Sequence, residues 1–141
     1  MNPDLIFIPI LIQVLLTFFV FIRLGQVKER AVKSGDVDQN RRALHDDAWP
    51  DYVLKVNNNI RNQFETPVLF YVLVISLWQL GAATAIAQLA ALAYALLRVA
   101  HASVHLGNNV VQMRKRLFQA SIVALMVLCG LALLAILGIP V

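Results

Sequence analysis

Apolar residues fill three stretches of the chain almost without interruption, at positions 5–22, 66–97 and 117–139. A membrane-spanning helix needs about 20 such residues. The middle stretch holds 32 residues without a charge. As one helix it would be about 48 Å long, against a hydrocarbon core of about 30 Å. A turn must divide it, and Gly81 in Gln79-Leu80-Gly81-Ala82-Ala83-Thr84 is the natural place. The pattern therefore predicts an all-α, integral membrane four-helix bundle in a single domain over 1–141. Its spans lie near 5–24, 62–80, 82–106 and 116–139, with a long loop over 25–55.

The polar segments add detail. Helix 1 is expected to run on through Lys28-Glu29-Arg30-Ala31-Val32-Lys33 until Gly35 ends it. Trp49-Pro50-Asp51 reads as a helix start. Helix 2 would begin there, outside the bilayer, and enter it near Phe64. Eight alanines between Ala82 and Ala95 suit close packing of helix 3 on a neighbour.

Composition and charge sharpen this picture. Hydrophobic residues make up 60% of the chain and charged residues 14%, far from the roughly half and one quarter of a soluble domain. Of twelve Lys and Arg, eight lie between Arg23 and Arg61 and three are Arg114, Lys115 and Arg116. The net charge of +4 thus flanks apolar spans and forms no solvated face for nucleic acid. With four spans, both basic loops share one side of the membrane, and neither the termini nor the Gly81 turn carries Lys or Arg. The positive-inside rule puts the charged loops in the cytosol and both termini outside. The first apolar run has no basic segment before it and ends on Arg23, so it reads as a span and not as a leader. A bacterial inner membrane fits such a chain. The lone Cys129 sits in an apolar run and reads as packing.

Ionisable groups inside spans face a bundle interior or a cavity. On helix 2, Asn58, Arg61, Asn62 and Glu65 follow the i, i+3, i+4, i+7 spacing of one helix face. On helix 3, Tyr94, Arg98, His101 and His105 form a second stripe, which Asn108 and Gln112 would extend. Counting outward from Gly81 sets Glu65 level with Arg98, Asn62 with His101 and Asn58 with His105. Two readings follow. A Glu65–Arg98 ion pair could simply lock the bundle. Alternatively, the stripes form a cationic pocket open to the cytosol for a small, anionic, peptide-like ligand: Arg recognises carboxylate, Asn pairs amides and Glu65 holds an ammonium.

These residues also carry a resemblance. Arg61-Asn62-Gln63-Phe64-Glu65-Thr66 resembles the Arg-Asn-x-x-Glu-Thr start of helix 2 in the MAPEG family, the membrane-associated proteins of eicosanoid and glutathione metabolism. The stretch from Arg98 to Gly107 resembles Arg-Val-Ala-His-x-x-x-Tyr-Leu-Gly of its microsomal prostaglandin E synthase branch, and Gly25-Gln26-Val27-Lys28 resembles the end of helix 1 there. The resemblance implies a homotrimer that binds glutathione between subunits, near the cytosolic side. It implies Lys28, Arg61, Asn62, Glu65, Arg98, His101 and His105 as glutathione-binding residues. It also implies Arg114 as the catalytic arginine that activates the thiol. His105 in place of a tyrosine, Lys28 in place of an arginine, Lys115 in place of a serine, and Pro67 directly after Thr66 depart from that branch and weigh against eicosanoid synthesis.

Three functions compete at this point. One is a glutathione-dependent transferase or peroxidase acting on lipophilic electrophiles that enter from the lipid. Another is a non-catalytic protein of the same fold, an accessory subunit or lipid-binding scaffold. The third is a metal site on His101 and His105, spaced i, i+4; without a further ligand on the stripe it gives no metal assignment.

Overall fold

The computed structural model describes residues 2–141, and among these it contains helices and no strand. After a 3₁₀ turn, Pro3–Phe7, come α1 (Ile8–Ser34), α2 (Asp51–Gln63), α3 (Thr66–Gln79), α4 (Ala85–Leu106) and α5 (Val111–Ile136). The first helical segment (Pro3–Ser34), α4 and α5 are each long and apolar enough to cross a membrane.

Local chemistry explains most of the boundaries. At about 40 Å, α1 outruns a hydrocarbon core of about 30 Å, so its charged last turns extend beyond the apolar segment. There Lys33 pairs with Glu29 at 2.6 Å. Gly35, at φ +75°, closes the helix by donating back to Ala31 and Val32. Pro50 stands at the N-cap of α2. Thr84 caps α4, its hydroxyl accepting from the amide of Ala87.

The segment expected as one helix from Asp51 into the membrane is two. The helix stops at Gln63, and Glu65 takes φ −94° and ψ −104° before α3 begins. Pro67 explains the break. A continuous helix would need an amide proton at 67 for the carbonyl of Gln63, and the proline ring would clash with that carbonyl.

Two sets of contacts fix the ends of the bundle. At one end, Trp78 donates to Asp4 at 2.9 Å and Gln88 to the carbonyl of Asn2 at 3.1 Å. The C-terminal residues meet the α3–α4 turn there as well. At the other end, Lys55 donates to the carbonyl of Gly107 at 3.0 Å, joining α2 to the α4–α5 turn. The loop between α1 and α2 is ordered by Arg41–Asp47 at 2.8 Å, Arg61–Asp46, and the Trp49 indole donating to Arg42. The Arg41 guanidinium holds the Asp47 carboxyl below its ordinary range.

The apolar core runs from the terminal end, at Ile6, Leu77 and Ala82, to the middle of the bundle, where Phe70 of α3 stacks on Tyr94 of α4 with ring centroids 4.3 Å apart. Ala87, Ala91 and Ala95 are sealed on the inner face of α4, while Leu89 and Leu96 point outward and are exposed. Small residues inward and large ones outward is the arrangement of a helix packed in lipid.

The α3–α4 turn needs a left-handed residue. Gly81 has φ +67°, and the amide of Ala82 reaches back to Leu77 at 2.8 Å. No atom lies within 4 Å of where a Cβ would stand, so a substitution here meets only backbone strain. Gly81→Ala is expected to destabilise the protein by about 1 kcal/mol and Gly81→Asn by less, as read from thermal or denaturant unfolding in detergent.

Candidate functional site

The site forms where three helix ends converge at the loop end of the bundle. Asn62 and Glu65 flank the break between α2 and α3, His101 comes from α4, and Val111, Arg114, Lys115 and Phe118 come from the start of α5. Together they line an open cleft of about 280 Å³.

Behind the cleft, Arg98 is fully buried. Its Nη2 donates to the carbonyl of Asn62 at 2.6 Å, and its guanidinium lies 6.0 Å from the Phe118 ring. Asn62 O is one of the last four carbonyls of α2, groups a helix leaves without an internal partner, so the guanidinium caps a helix C-terminus. The remaining Arg98 nitrogens, Nε and Nη1, have no partner. Nδ1 of His101 and Nε of Arg114 are likewise buried and unpartnered. The Asn62 amide nitrogen lies 3.4 Å from Nδ1 of His105, whose ring packs edge-on to His101. Arg114 is braced by Asn109, which adopts a left-handed φ of 55° and accepts from Nη1 at 2.7 Å.

Buried donors without acceptors are costly and need an acceptor group. Here they sit on two guanidiniums, beside an imidazole nitrogen that donates or accepts according to its tautomer. Arg114 also occupies the first turn of α5, where the helix dipole adds partial positive charge. The cleft is therefore suited to an anion, with Glu65 on its rim as the one carboxylate.

The residues singled out from sequence divide accordingly. Asn62, Glu65, His101 and Arg114 line the cleft. Arg98 and His105 stand behind it, each joined to Asn62. Arg61 turns away to Asp46 in the loop, Lys28 lies over the Trp49 ring at 4.9 Å, and Asn58 is exposed. None of these three lines the cleft. No Glu65–Arg98 ion pair exists among the described residues; Arg98 bonds to Asn62, three residues earlier than level depth places it. The reason lies at the break: Glu65 stands between α2 and α3 at φ −94° and ψ −104° and is exposed, so Arg98 meets the free carbonyl near the end of α2 instead.

Sequence reasoning passed over Phe118 and Asn109 and gave no site role to a buried amide trio, Gln13, Asn59 and Gln63, of which Gln13 reads from sequence as helix packing. Gln13 was visible as the only amide in its apolar run. Among the described residues no three or more of His, Cys, Asp and Glu gather in a metal-holding group.

A sequence model described as the MAPEG family matches residues 6–134, which include every cleft residue. The chain belongs to the MAPEG family. No curated protein and no solved structure matches it significantly. Membership makes this an integral membrane protein, and it places the four-rod bundle, with its second rod broken at Glu65, among the MAPEG folds. The MAPEG family includes glutathione transferases and peroxidases and also non-catalytic members.

Proposed function

We propose that this MAPEG protein is a glutathione-dependent transferase or peroxidase acting on lipophilic electrophiles, with glutathione bound in the cleft at the cytosolic, loop end. The observation that carries the reading is the set of unpartnered nitrogens on His101 and Arg114, which line one open cleft, and on Arg98, buried behind it. Glutathione brings two carboxylates for the guanidiniums, amides for Asn62 and an ammonium for Glu65. Arg114, at the positive end of α5, would hold the sulfur as thiolate, the form that attacks. In a transfer by substitution, the thiol S–H bond breaks and its proton passes to cytosolic water; the thiolate then forms the C–S bond as the leaving group on that carbon departs with its bonding pair. The electrophile would arrive through the lipid face. The likeness to the prostaglandin E synthase branch rests on the α1, α2 and α4 motifs alone. A homotrimer belongs to the same reading: Lys28 and Arg61 line no part of their own subunit's cleft, and in a trimer they would exchange Trp49 and Asp46 for a ligand in a neighbour's.

The test is calorimetry on the detergent-purified protein, with Glu65→Gln as control. A ligand at 100 times its Kd stabilises the native state by about 2.7 kcal/mol, so 10 mM glutathione is expected to raise Tm by several degrees. No heat and no Tm shift at 10 mM would overturn the reading. A second reading, a non-catalytic MAPEG scaffold, is favoured by one observation: Arg98 already caps α2 through Asn62. Copurification of a stable partner without glutathione binding would select it.

A further inference from the structure

Three buried amides link α1, α2 and α4 beneath the site. Gln13, fully sealed within α1, donates from Nε2 to Oε1 of Gln63 at 2.6 Å. Gln63 donates from its own Nε2 to Oδ1 of Asn59 at 2.9 Å. Asn59, also sealed, donates to the carbonyl of Ala102 in α4 at 3.5 Å. None of the three lines the cleft.

Their position in α2 gives them a consequence for the site. Residues 59 and 63 are one turn apart on the inner face of the last turn of α2, just before the chain breaks. Asn62, about 100° around the same turn, holds Arg98 by its carbonyl and meets His105 by its side chain. A helix end next to a break lacks the hydrogen-bonded helical continuation that would fix its rotation, and its final carbonyls need outside partners. Apolar side chains could fill the same space but would exert no directional hold, whereas hydrogen bonds do.

We infer that Gln13, Asn59 and Gln63 are positioning residues for the cleft, fixing the rotation of the last turn of α2 so that Asn62 holds Arg98 and meets His105. Substitutions in the relay would change affinity without removing any ligand contact. The affinity arm of the test rests on the glutathione reading above; the spectroscopic arm does not.

The experiment compares the wild type with Gln63→Leu and with the double variant Gln13→Leu/Gln63→Leu, each full-length in detergent and labelled with ¹⁵N-histidine. The chain has three histidines, of which His45 is exposed in the loop, so the spectrum is simple. The His105 signals are assigned by their absence from His105→Phe. Gln63→Leu leaves Gln13 buried without a partner and lowers Tm. The double variant removes the stranded Gln13 amide as well and regains that part of the loss, while Asn59 Oδ1 stays without its donor in both variants. In both, the His105 nitrogens are expected to move toward those of solvated His45, and the glutathione Kd to rise about tenfold (about 1.4 kcal/mol). A merely structural role predicts that the His105 signals and the affinity return together with Tm in the double variant. Unchanged His105 signals in the double variant overturn the inference, whatever the affinity does. If the wild type binds no glutathione, the proposed function fails, and the His105 signals still decide the relay.

Discussion

Replacing Arg98 by methionine is expected to leave the Tm of the ligand-free protein within a few degrees of wild type while abolishing its response to glutathione. Two stability effects oppose each other. The substitution strips the carbonyl of Asn62 of its partner, at a cost of about 1–3 kcal/mol. It also removes a fully buried cation with two idle nitrogens and no carboxylate against it. Burying an uncompensated charge costs several kcal/mol, and methionine keeps much of the side-chain volume. The terms are of similar size, so the net change is small. Arg98→Ala makes a poor probe, because the void it leaves adds a further penalty of about 2–5 kcal/mol by analogy with other large-to-small core changes. Binding has no such compensation. Losing one partner of a desolvated charge pair costs about 2–5 kcal/mol, a loss of roughly 30-fold to several thousandfold in affinity. Thermal melts of Arg98→Met with and without 10 mM glutathione separate the two roles. A drop of more than about 10 °C with the glutathione response intact would make Arg98 the cap of α2 and remove it from the site.

That dual position of Arg98 marks the limit of what the chain alone could tell. Features set by near neighbours in sequence were legible: Gly35 closes α1 because only a short stretch must adopt a left-handed turn, and Pro50 opens α2 for a similarly local reason. The four-rod bundle was legible because bilayer thickness leaves few ways to place such apolar runs. The break at Glu65 was legible in principle from Pro67, whose missing amide falls on Gln63, but the apolar pattern alone carries one helix from Asp51 into the bilayer. The face of α2 was misread for a physical reason. Ionisable residues mark the inner face only within the hydrocarbon. The loop end of α2 lies where Arg61 finds Asp46 in the loop, so Asn58 and Arg61 turn outward and the neutral amides Asn59 and Gln63 turn in. The pairing of Arg98 with Asn62, not Glu65, depended on the break, which takes Glu65 out of helical geometry and leaves it exposed.

Arg114→Ala is expected to reduce glutathione-dependent turnover by about 10²–10³-fold, the effect typical of removing one preorganised stabiliser of negative charge. In the proposed site, Arg114 supplies a fixed cation at the first turn of α5, where the helix terminus adds its own positive field. An ordinary thiol titrates near about 8.5, and cations and helix N-termini lower that value. The bound thiol of the wild type should therefore ionise below this range, and in Arg114→Ala its half-point should climb back toward about 8.5, as followed by thiolate absorbance across a pH series. Arg114→Lys keeps a charge on a flexible stem without the planar fork, so it should retain part of the lowered half-point. Asn109 supplies an independent check. It touches Arg114 at 2.7 Å and does not line the cleft. Asn109→Ala should leave glutathione affinity nearly unchanged but raise the thiol half-point by a fraction of the alanine effect at 114, because the guanidinium loses its brace and not its charge. Thiolate titrations that coincide for wild type and Arg114→Ala would exclude Arg114 from thiol activation. Arg114-Lys115-Arg116 would then be membrane-interface anchors, and the catalytic cation would have to be sought at Arg98 or on a neighbouring subunit.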